Sequence, residues 1–367
     1  MRQIDSIVSE LPIMNHAQTD RPVANDSRTQ PAGRKRLRWL AKCLLAAVVM
    51  LLAVPSLQAI EIYDYTSPKN DLFVTNGSTP SGISPNLSSS FIGLGLDYSG
   101  VIIGANGHGS TRGGVLINSQ YFLSSKHRTD ETEVVPDPND STKTITIPAY
   151  SSIRIVDRNN TFRDYPVAGF TTLSYTDPAT HVVTTSDLIL GKLSSPIADP
   201  VAFYPIYSPA ENLINRQVQV VGPFALDNTQ TISGPNAVGL NNIDAIGSVF
   251  DGTNLSQGFE YSYTLGKANE AGLLSGDSGD PSFIRYGNTL ALVGIHLGNS
   301  GPPGPNSSFT SADTFAPYYI SQINAAMSSS GFQVTVVPEP SSGLLLVLGV
   351  IGGGFYLRRR NRHRLAA

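Results

Sequence analysis

Cysteine is almost absent: Cys43 is the only one among 367 residues. It lies close to the amino end, so the rest of the chain can form no internal disulfide and must hold its fold through a buried core. Charge is scarce as well, with Asp, Glu, Lys and Arg together making 14% of the chain. Between Ile60 and Val336 there are 12 Lys and Arg against 23 Asp and Glu, a net charge of −11 that the near-neutral total conceals. An acidic body of this kind is a poor match for nucleic acid, and no such partner is expected. The six histidines include no closely spaced pair, so neither a zinc-type metal site nor a cofactor is expected. Long apolar runs are missing except near the two ends, and no internal repeat is visible.

What fills the body is strand after short strand. From Phe91 onward, β-branched and aromatic runs alternate with turn residues, as where Val101-Ile102-Ile103 gives way to Gly104-Ala105-Asn106-Gly107. Residues 145–150, 152–156, 182–193, 218–221 and 261–265 have the same character, which makes the fold class all-β. Residues 60–90 are rich in Ser, Asn, Gly, Pro and Thr without periodicity and predict an irregular arm. Residues 130–142, rich in Asp and Pro, predict a surface loop. Around Pro317, residues 315–327 carry apolar side chains at helical spacing, as a short terminal helix would.

Three segments carry reactive residue types in a fixed order. The stretch Gly114 to His127 opens with an apolar run, breaks at Asn118-Ser119-Gln120, resumes apolar and ends in histidine. In Ser186-Asp187-Leu188-Ile189-Leu190 a carboxylate stands at the mouth of an apolar strand that stops at Ser195-Pro196. Finally, Gly276-Asp277-Ser278-Gly279-Asp280-Pro281 sets a serine in a glycine-lined loop, followed over residues 282–298 by a hairpin with a Gly287-Asn288 turn. A serine hydroxyl is a poor nucleophile at neutral pH and needs a base to take its proton, and the base needs an orienting partner.

Together these segments resemble the chymotrypsin-like serine peptidases over about residues 91–331. The resemblance implies two six-stranded β-barrels with the catalytic groups in the cleft between them. It implies Ser278 as nucleophile, His127 as general base and Asp187 as the residue that orients the imidazole. The backbone N–H groups of Gly276 and Ser278 would form the oxyanion hole. The expected activity is hydrolysis of protein or peptide substrates through an acyl-enzyme. By the same likeness Asp277 would pair with a freed amino terminus, at Ile60 or Ile92, or else satisfy only local backbone N–H groups. A glycine two residues after the serine is missing, so the nucleophile elbow of α/β-hydrolases is disfavoured.

Two positions depart from the peptidase pattern. Ser125-Lys126 replaces the usual Ala-Ala before the histidine, and Asp280 replaces the second glycine after the nucleophile. They motivate an alternative: a weakened or inactive peptidase-fold binding module at the cell surface or in extracellular matrix. For specificity, the residue six before the nucleophile is Gly272, which offers no partner to a substrate Arg or Lys; a preference for uncharged residues is expected. Gly294-Ile295-His296 and Ser275 resemble the pocket of glutamyl endopeptidases, which makes acidic residues the alternative, while His296 also reads as a core histidine. His108 and His181 fall in turn sequences and are expected in solvent.

The two ends read as sorting segments. Basic Arg34-Lys35-Arg36-Leu37-Arg38, an apolar run of 11 residues from Leu44 to Val54 and then Ser56-Leu57-Gln58-Ala59 predict a signal peptide over residues 1–59, cleaved after Ala59. At the other end, Val337-Pro338-Glu339-Pro340 precedes 15 apolar residues from Gly343 to Leu357 and an Arg-rich tail from Arg358. Residues 333–367 thus resemble a PEP-CTERM sorting signal, which implies an exosortase-type enzyme as partner. The apolar run would sit transiently in the inner membrane as a single helix, with the arginines cytoplasmic. Residues 91–332 would form the peptidase domain, delivered to the envelope or beyond.

Overall fold

The computed structural model describes residues 60–337, apart from 80, 106–112, 130–131, 138–139, 149, 209–212, 224–235 and 302–307. The expected signal peptide, most of the sorting segment and His108 lie outside these residues. The described body is mostly β-strand, as the alternation of short apolar runs and turns predicts, with a short helix near the carboxyl end.

Two large sheets carry the fold. The first has seven strands, in the order Val101–Ile102, Gly114–Leu116, Tyr121–Ser125, Val183–Leu193, Phe162–Thr176, Ser152–Val156 and Gly104–Ala105. Its two edge strands are consecutive in the chain and separated only by Ile103, whose N–H donates to Arg154 O at 3.0 Å or closer (2.9 Å). One bent segment thus nearly closes the sheet into a barrel, which removes exposed edges. The second sheet has nine strands. Its main path runs Ala237–Asn242, Gln217–Gly222, Pro281–Tyr286, Thr289–Ser300, Phe309–Phe315, Leu255–Tyr263 and Ala245–Phe250; off that path Ile206–Tyr207 pairs in parallel with Thr289–Ser300 and with Val336–Val337. Seven and nine strands replace the expected six and six.

Side chains alternate across each strand, so the two faces of one strand can enter different cores. In Tyr121–Ser125, Phe122 joins Ile153, Ile155 and Leu193 within the first sheet. Its neighbour Leu123 joins Phe283, Leu292, Tyr319 and Met327 in a core shared by both sheets. A third cluster, with Ile60, Val218, Phe259, Ile284 and Val293, belongs to the second sheet. Each such side chain contributes roughly 1.5–3 kcal/mol on burial. Burial on both faces is why Tyr121-Phe122-Leu123 of the histidine strand is continuously apolar instead of alternating.

Two segments differ from expectation. The arm is ordered: Glu61–Ile62 pairs with Ala271–Gly272, Phe73–Thr75 pairs with Ile83–Pro85, and Ile60, Leu72 and Phe73 are buried. Its few apolar residues fill gaps singly and so leave no periodic trace, while Asn86 caps the backbone through Nδ2 to Asp71 O at 2.8 Å. The Asp- and Pro-rich insertion is also structured, with Thr132–Asp137 antiparallel to Asp140–Pro148. Ile145 to Ile147, within the strand expected at 145–150, pairs with Glu133 to Val135, whose two valines carry β propensity that the charges and prolines around them mask. The terminal helix Ile320–Met327 follows a 3₁₀ turn at Ala316–Tyr319 with Pro317 in its first turn, and buries Ile323 and Met327 one turn apart.

Candidate active site

The register between two neighbouring strands creates the site. Ser125, the last residue of the histidine strand, pairs with Leu188, so Asp187 lies just beyond the end of that ladder. The chain then turns into the single helical turn Lys126–Thr129, which swings His127 over Asp187. The His127 backbone N–H donates to Asp187 Oδ1 at 2.9 Å, and Nδ1 lies 2.9 Å from both Oδ1 and Oδ2. With Nδ1–H donating to the carboxylate, Nε2 is the free acceptor of the ring. The Asp187 side chain is 1% exposed and that of His127 29%. Burial pushes the Asp187 carboxyl above its usual range, against the bonds from His127 that pull it down.

Support for Asp187 comes from the second sheet. Its backbone N–H donates to Ser256 Oγ at 2.9 Å, and Ser256 Oγ lies 3.1 Å from Ser186 Oγ. Ser186 Oγ donates to the Tyr319 hydroxyl at 2.9 Å, which also accepts from Gln257 N at 3.0 Å. The hairpin Ala245–Tyr263 and the terminal helical turn are thereby tied to the aspartate strand. On the loop of the same hairpin stands Asp251, whose Oδ2 lies 3.9 Å from His127 Nδ1. His127, Asp187 and Asp251 bring one ligand-type atom each within 4.8 Å of one another. Within this cluster His127 Nδ1 is hydrogen-bonded to Asp187, while Asp251 Oδ2 stands beyond hydrogen-bond distance as a nearby charge.

Ser278 sits half-buried in a loop stitched by its own backbone: Asp277 N to Leu274 O at 3.3 Å, Asp280 N to Asp277 O at 3.0 Å and Gly279 N to His296 O at 3.0 Å. Gly279 has φ +95°, and a Cβ there would meet Ser124 Oγ at 2.6 Å and Gly113 O at 2.8 Å. Only glycine fits that conformation and that approach. The loop is therefore seated on Ser124, three residues before His127. No hydrogen bond from the N–H groups of Gly276 and Ser278 occurs among the described residues. Asp280 packs against Gly113, where a Cβ would lie 2.2 Å from its carboxyl carbon. Burial and the Asp277 charge drive the Asp280 carboxyl well above its usual range, with Arg128 opposing.

Asp277 is buried with Oδ2 accepting Leu274 N at 2.7 Å, while Oδ1 has no hydrogen-bond partner among the described residues. Burial raises its carboxyl well above the ordinary range, opposed by the Leu274 and Ile60 backbone N–H groups. Ile60 is 1% exposed and donates to Pro223 O at 3.0 Å. A Cβ on Gly222 would lie 3.1 Å from Asp277 Oδ1 and 3.4 Å from Ile60 Cβ, so the two residues are neighbours.

The three expected pocket residues part company. Gly272 lies in the short strand Ala271–Gly272, with the stacked rings of Tyr263 and Phe309 beside it. Ser275 is exposed at the rim of the nucleophile loop. His296 is fully buried, with Nε2 3.2 Å from Ser282 Oγ and 3.9 Å from Asp313 Oδ2. Burial lowers its imidazole to about 3, only partly offset by the Asp277 and Pro281 carbonyls. His181, by contrast, is exposed in a hairpin loop with φ +58°. Sequence reasoning missed Asp251, Ser256 and Tyr319. Asp251 begins an Asp-Gly-Thr-Asn turn, a pattern that signals a turn and nothing more. A cleft of about 170 Å³ opens beside it, lined by Phe250, Glu260, Leu297, Asn299 and Thr310 among others.

Outside the β body, residues 336–360 match the PEP-CTERM protein-sorting motif. The carboxyl end is a sorting signal. It implies recognition by an exosortase-type enzyme, with export and sorting to the cell envelope. Val336–Val337, at its start, pairs in parallel with Ile206–Tyr207, so the motif begins at the edge of the second sheet. No helix among the described residues is long and apolar enough to cross a membrane, and the apolar run after Gly343 lies outside them. No curated protein matches the chain.

Proposed function

We propose that this protein is an exported serine endopeptidase that cleaves peptide bonds through an acyl-enzyme on Ser278. The observation that carries the reading is the buried Asp187 carboxylate, bonded at 2.9 Å to both the backbone N–H and Nδ1 of His127, beside a serine loop seated on the same strand. His127 Nε2 would take the Ser278 proton during attack and return it to the leaving amine. Asp187 holds the tautomer and stabilises the cation that forms. The N–H groups of Gly276 and Ser278 would receive the oxyanion. Cleavage of the sorting segment near Pro338–Pro340, after transient retention of the apolar run in the inner membrane, would release the domain to the envelope.

Processing at the other end fits the same reading. Cleavage after Ala59 would turn the Ile60 N–H into an ammonium beside Asp277 Oδ1, the oxygen that lacks a partner. That ion pair would fix the nucleophile loop. The deciding experiment is labelling of the processed protein with a fluorophosphonate probe: modification of Ser278 in the parent and none in His127→Ala is expected, and an unlabelled parent would overturn the enzyme reading. One observation favours a second reading, a weakened peptidase-fold binding module. Asp280 buries a carboxyl with neither oxygen bonded among the described residues, two positions from Ser278. Casein hydrolysis that disappears in Ser278→Ala would exclude binding as the sole role.

A further inference from the structure

A hairpin of the second sheet brings a second carboxylate to the imidazole. Asp251 lies in the loop between Ala245–Phe250 and Leu255–Tyr263. Its side chain is 4% exposed, and Oδ2 is 3.9 Å from His127 Nδ1. The loop grips it firmly: Oδ1 accepts the backbone N–H groups of Thr253 and Asn254, and Oδ2 accepts Asn254 Nδ2 at 2.8 Å. A carboxylate with that many donors stays ionised next to a buried neighbour. Burial pushes the Asp251 carboxyl up, but the Asn254 and Thr253 donors and the Asp187 side chain outweigh it and hold it below the ordinary range. Asp187 shifts the opposite way, and the Asp251 charge adds to its rise.

We propose that Asp251 is a positioning residue for His127: fixed on the hairpin loop, it is a second anionic group beside Nδ1, and with Asp187 it holds the ring and stabilises the imidazolium formed when Ser278 loses its proton. The proposal rests on the peptidase reading for its consequence in turnover, and on geometry alone for its contact with the imidazole. Its logic is electrostatic. A negative charge within 4 Å of the ring, on a carboxylate that is itself 4% exposed, favours the cation over the neutral ring, and the cation is present only as the proton moves. It should therefore act on kcat and leave substrate affinity alone.

The test uses Asp251→Asn in the processed protein, because Asn keeps the Oδ1 acceptor for Thr253 and Asn254 while removing the charge. A fall in kcat of about tenfold with KM within about twofold is expected. Asn254→Ala, which keeps the charge but frees Oδ2, should give a smaller fall and guards against misfolding of the first variant. A readout independent of turnover is the His127 Nδ1–H proton resonance in a Ser278→Ala background, which should move when Asp251→Asn is added. Unchanged kcat with an unmoved resonance would overturn the proposal, and so would a change confined to KM, which would make Asp251 a wall of the adjoining cleft. If the parent neither turns over nor labels at Ser278, the peptidase reading fails and the resonance alone decides the Asp251 contact.

Discussion

Ile60 and Asp277 lie side by side under the nucleophile loop, both against Gly222, with the Ile60 N–H donating to Pro223 O at 3.0 Å. Before cleavage, Ile60 can offer only a neutral amide, and Asp277 Oδ1 is left without a hydrogen-bond partner among the described residues. An ammonium at the same place would supply the missing charge. Hydrogen bonds to charged groups contribute about 1.5–3 kcal/mol, so the pair would change kcat/KM by roughly ten- to hundredfold if it orders the oxyanion donors. The mature protein is expected to begin at Ile60 by mass measurement, and acetylating that terminus should lower activity by this factor. Full activity after acetylation would reduce Asp277 to a local cap for Leu274.

Ser278→Ala and His127→Ala should each remove nearly all turnover while leaving stability within about 1 kcal/mol, because neither side chain is part of a core. Asp187→Asn should cost about 10⁴ in kcat, since the amide favours the wrong imidazole tautomer. Peptide hydrolysis and chemical denaturation, measured on the same preparations, check both halves. Unfolding in place of inactivity would contradict the assignment.

Tyr319 reaches the site from the far side of the core. Its hydroxyl accepts from Ser186 Oγ and from Gln257 N, and Tyr319→Phe would remove the acceptor of both, leaving Ser186 only the Ser256 hydroxyl. The cost is expected to be about 1–3 kcal/mol, or a fall in Tm of roughly 2–10 °C for a domain of this size. Thermal unfolding followed by circular dichroism tests it, and an unchanged midpoint would mean that water replaces the hydroxyl.

The parts of the site that were legible in the sequence are those whose local pattern and role coincide. Leu116 to Ile117 and Tyr121 to Leu123 form an apolar hairpin that leads to His127, and Leu188 to Leu190 is an apolar run directly after Asp187, which lies inside the strand Val183–Leu193 and not at its mouth as expected. Burial on both faces wrote each strand into the sequence as a continuous apolar run. Asp251 and Ser256 left no such trace, because they reach Asp187 through a long-range contact between sheets, and a turn carrying a positioning carboxylate has the composition of any turn. The ordered arm was hidden for a related reason. Ile60, Leu72 and Phe73 are buried one at a time, against partners far along the chain, so no period of two or 3.6 emerges.

Stability should depend on pH through Asp313. Burial raises its carboxyl from 3.8 to about 7, against bonds from Ser282 and from Tyr261, whose hydroxyl lies 3.1 Å from Oδ1. Below about pH 4 the group is protonated in both folded and unfolded chains. As pH rises toward 7 the unfolded chain loses its proton first, so the stability conferred at acid pH is lost across that window and the loss levels off above it. Three pKa units correspond to a few kcal/mol. His296, lowered to about 3, works in the opposite sense as pH falls through 6.5, so the comparison must be variant against parent. Asp313→Asn, which keeps an acceptor for Tyr261, should match the parent near pH 4 and exceed it at pH 8 in denaturant titrations. Parallel curves would show that folding does not raise the Asp313 carboxyl.

Specificity is expected to follow the surroundings of Gly272. A cation at that depth would meet the Tyr263 and Phe309 rings, whose centroids lie 5.0 Å apart, and buried Leu274; Gly272 supplies no carboxylate, and that of Glu61, its partner across the strands, is already bonded to the Tyr263 hydroxyl. A buried cation without a partner is strongly disfavoured, so cleavage after Arg or Lys should be rare and cleavage after uncharged residues should dominate a peptide-library profile. Acidic residues would need a cationic partner, and His296 is a poor one: it is fully enclosed and neutral at any pH above about 3. His296→Gln should accordingly leave the ratio of cleavage after Glu to cleavage after Ala unchanged, even if stability falls. Selective loss of cleavage after Glu in that variant would place the imidazole in contact with substrate and shift the preference to acidic residues, while a profile dominated by Arg and Lys would mean that Gly272 does not mark the base of the pocket.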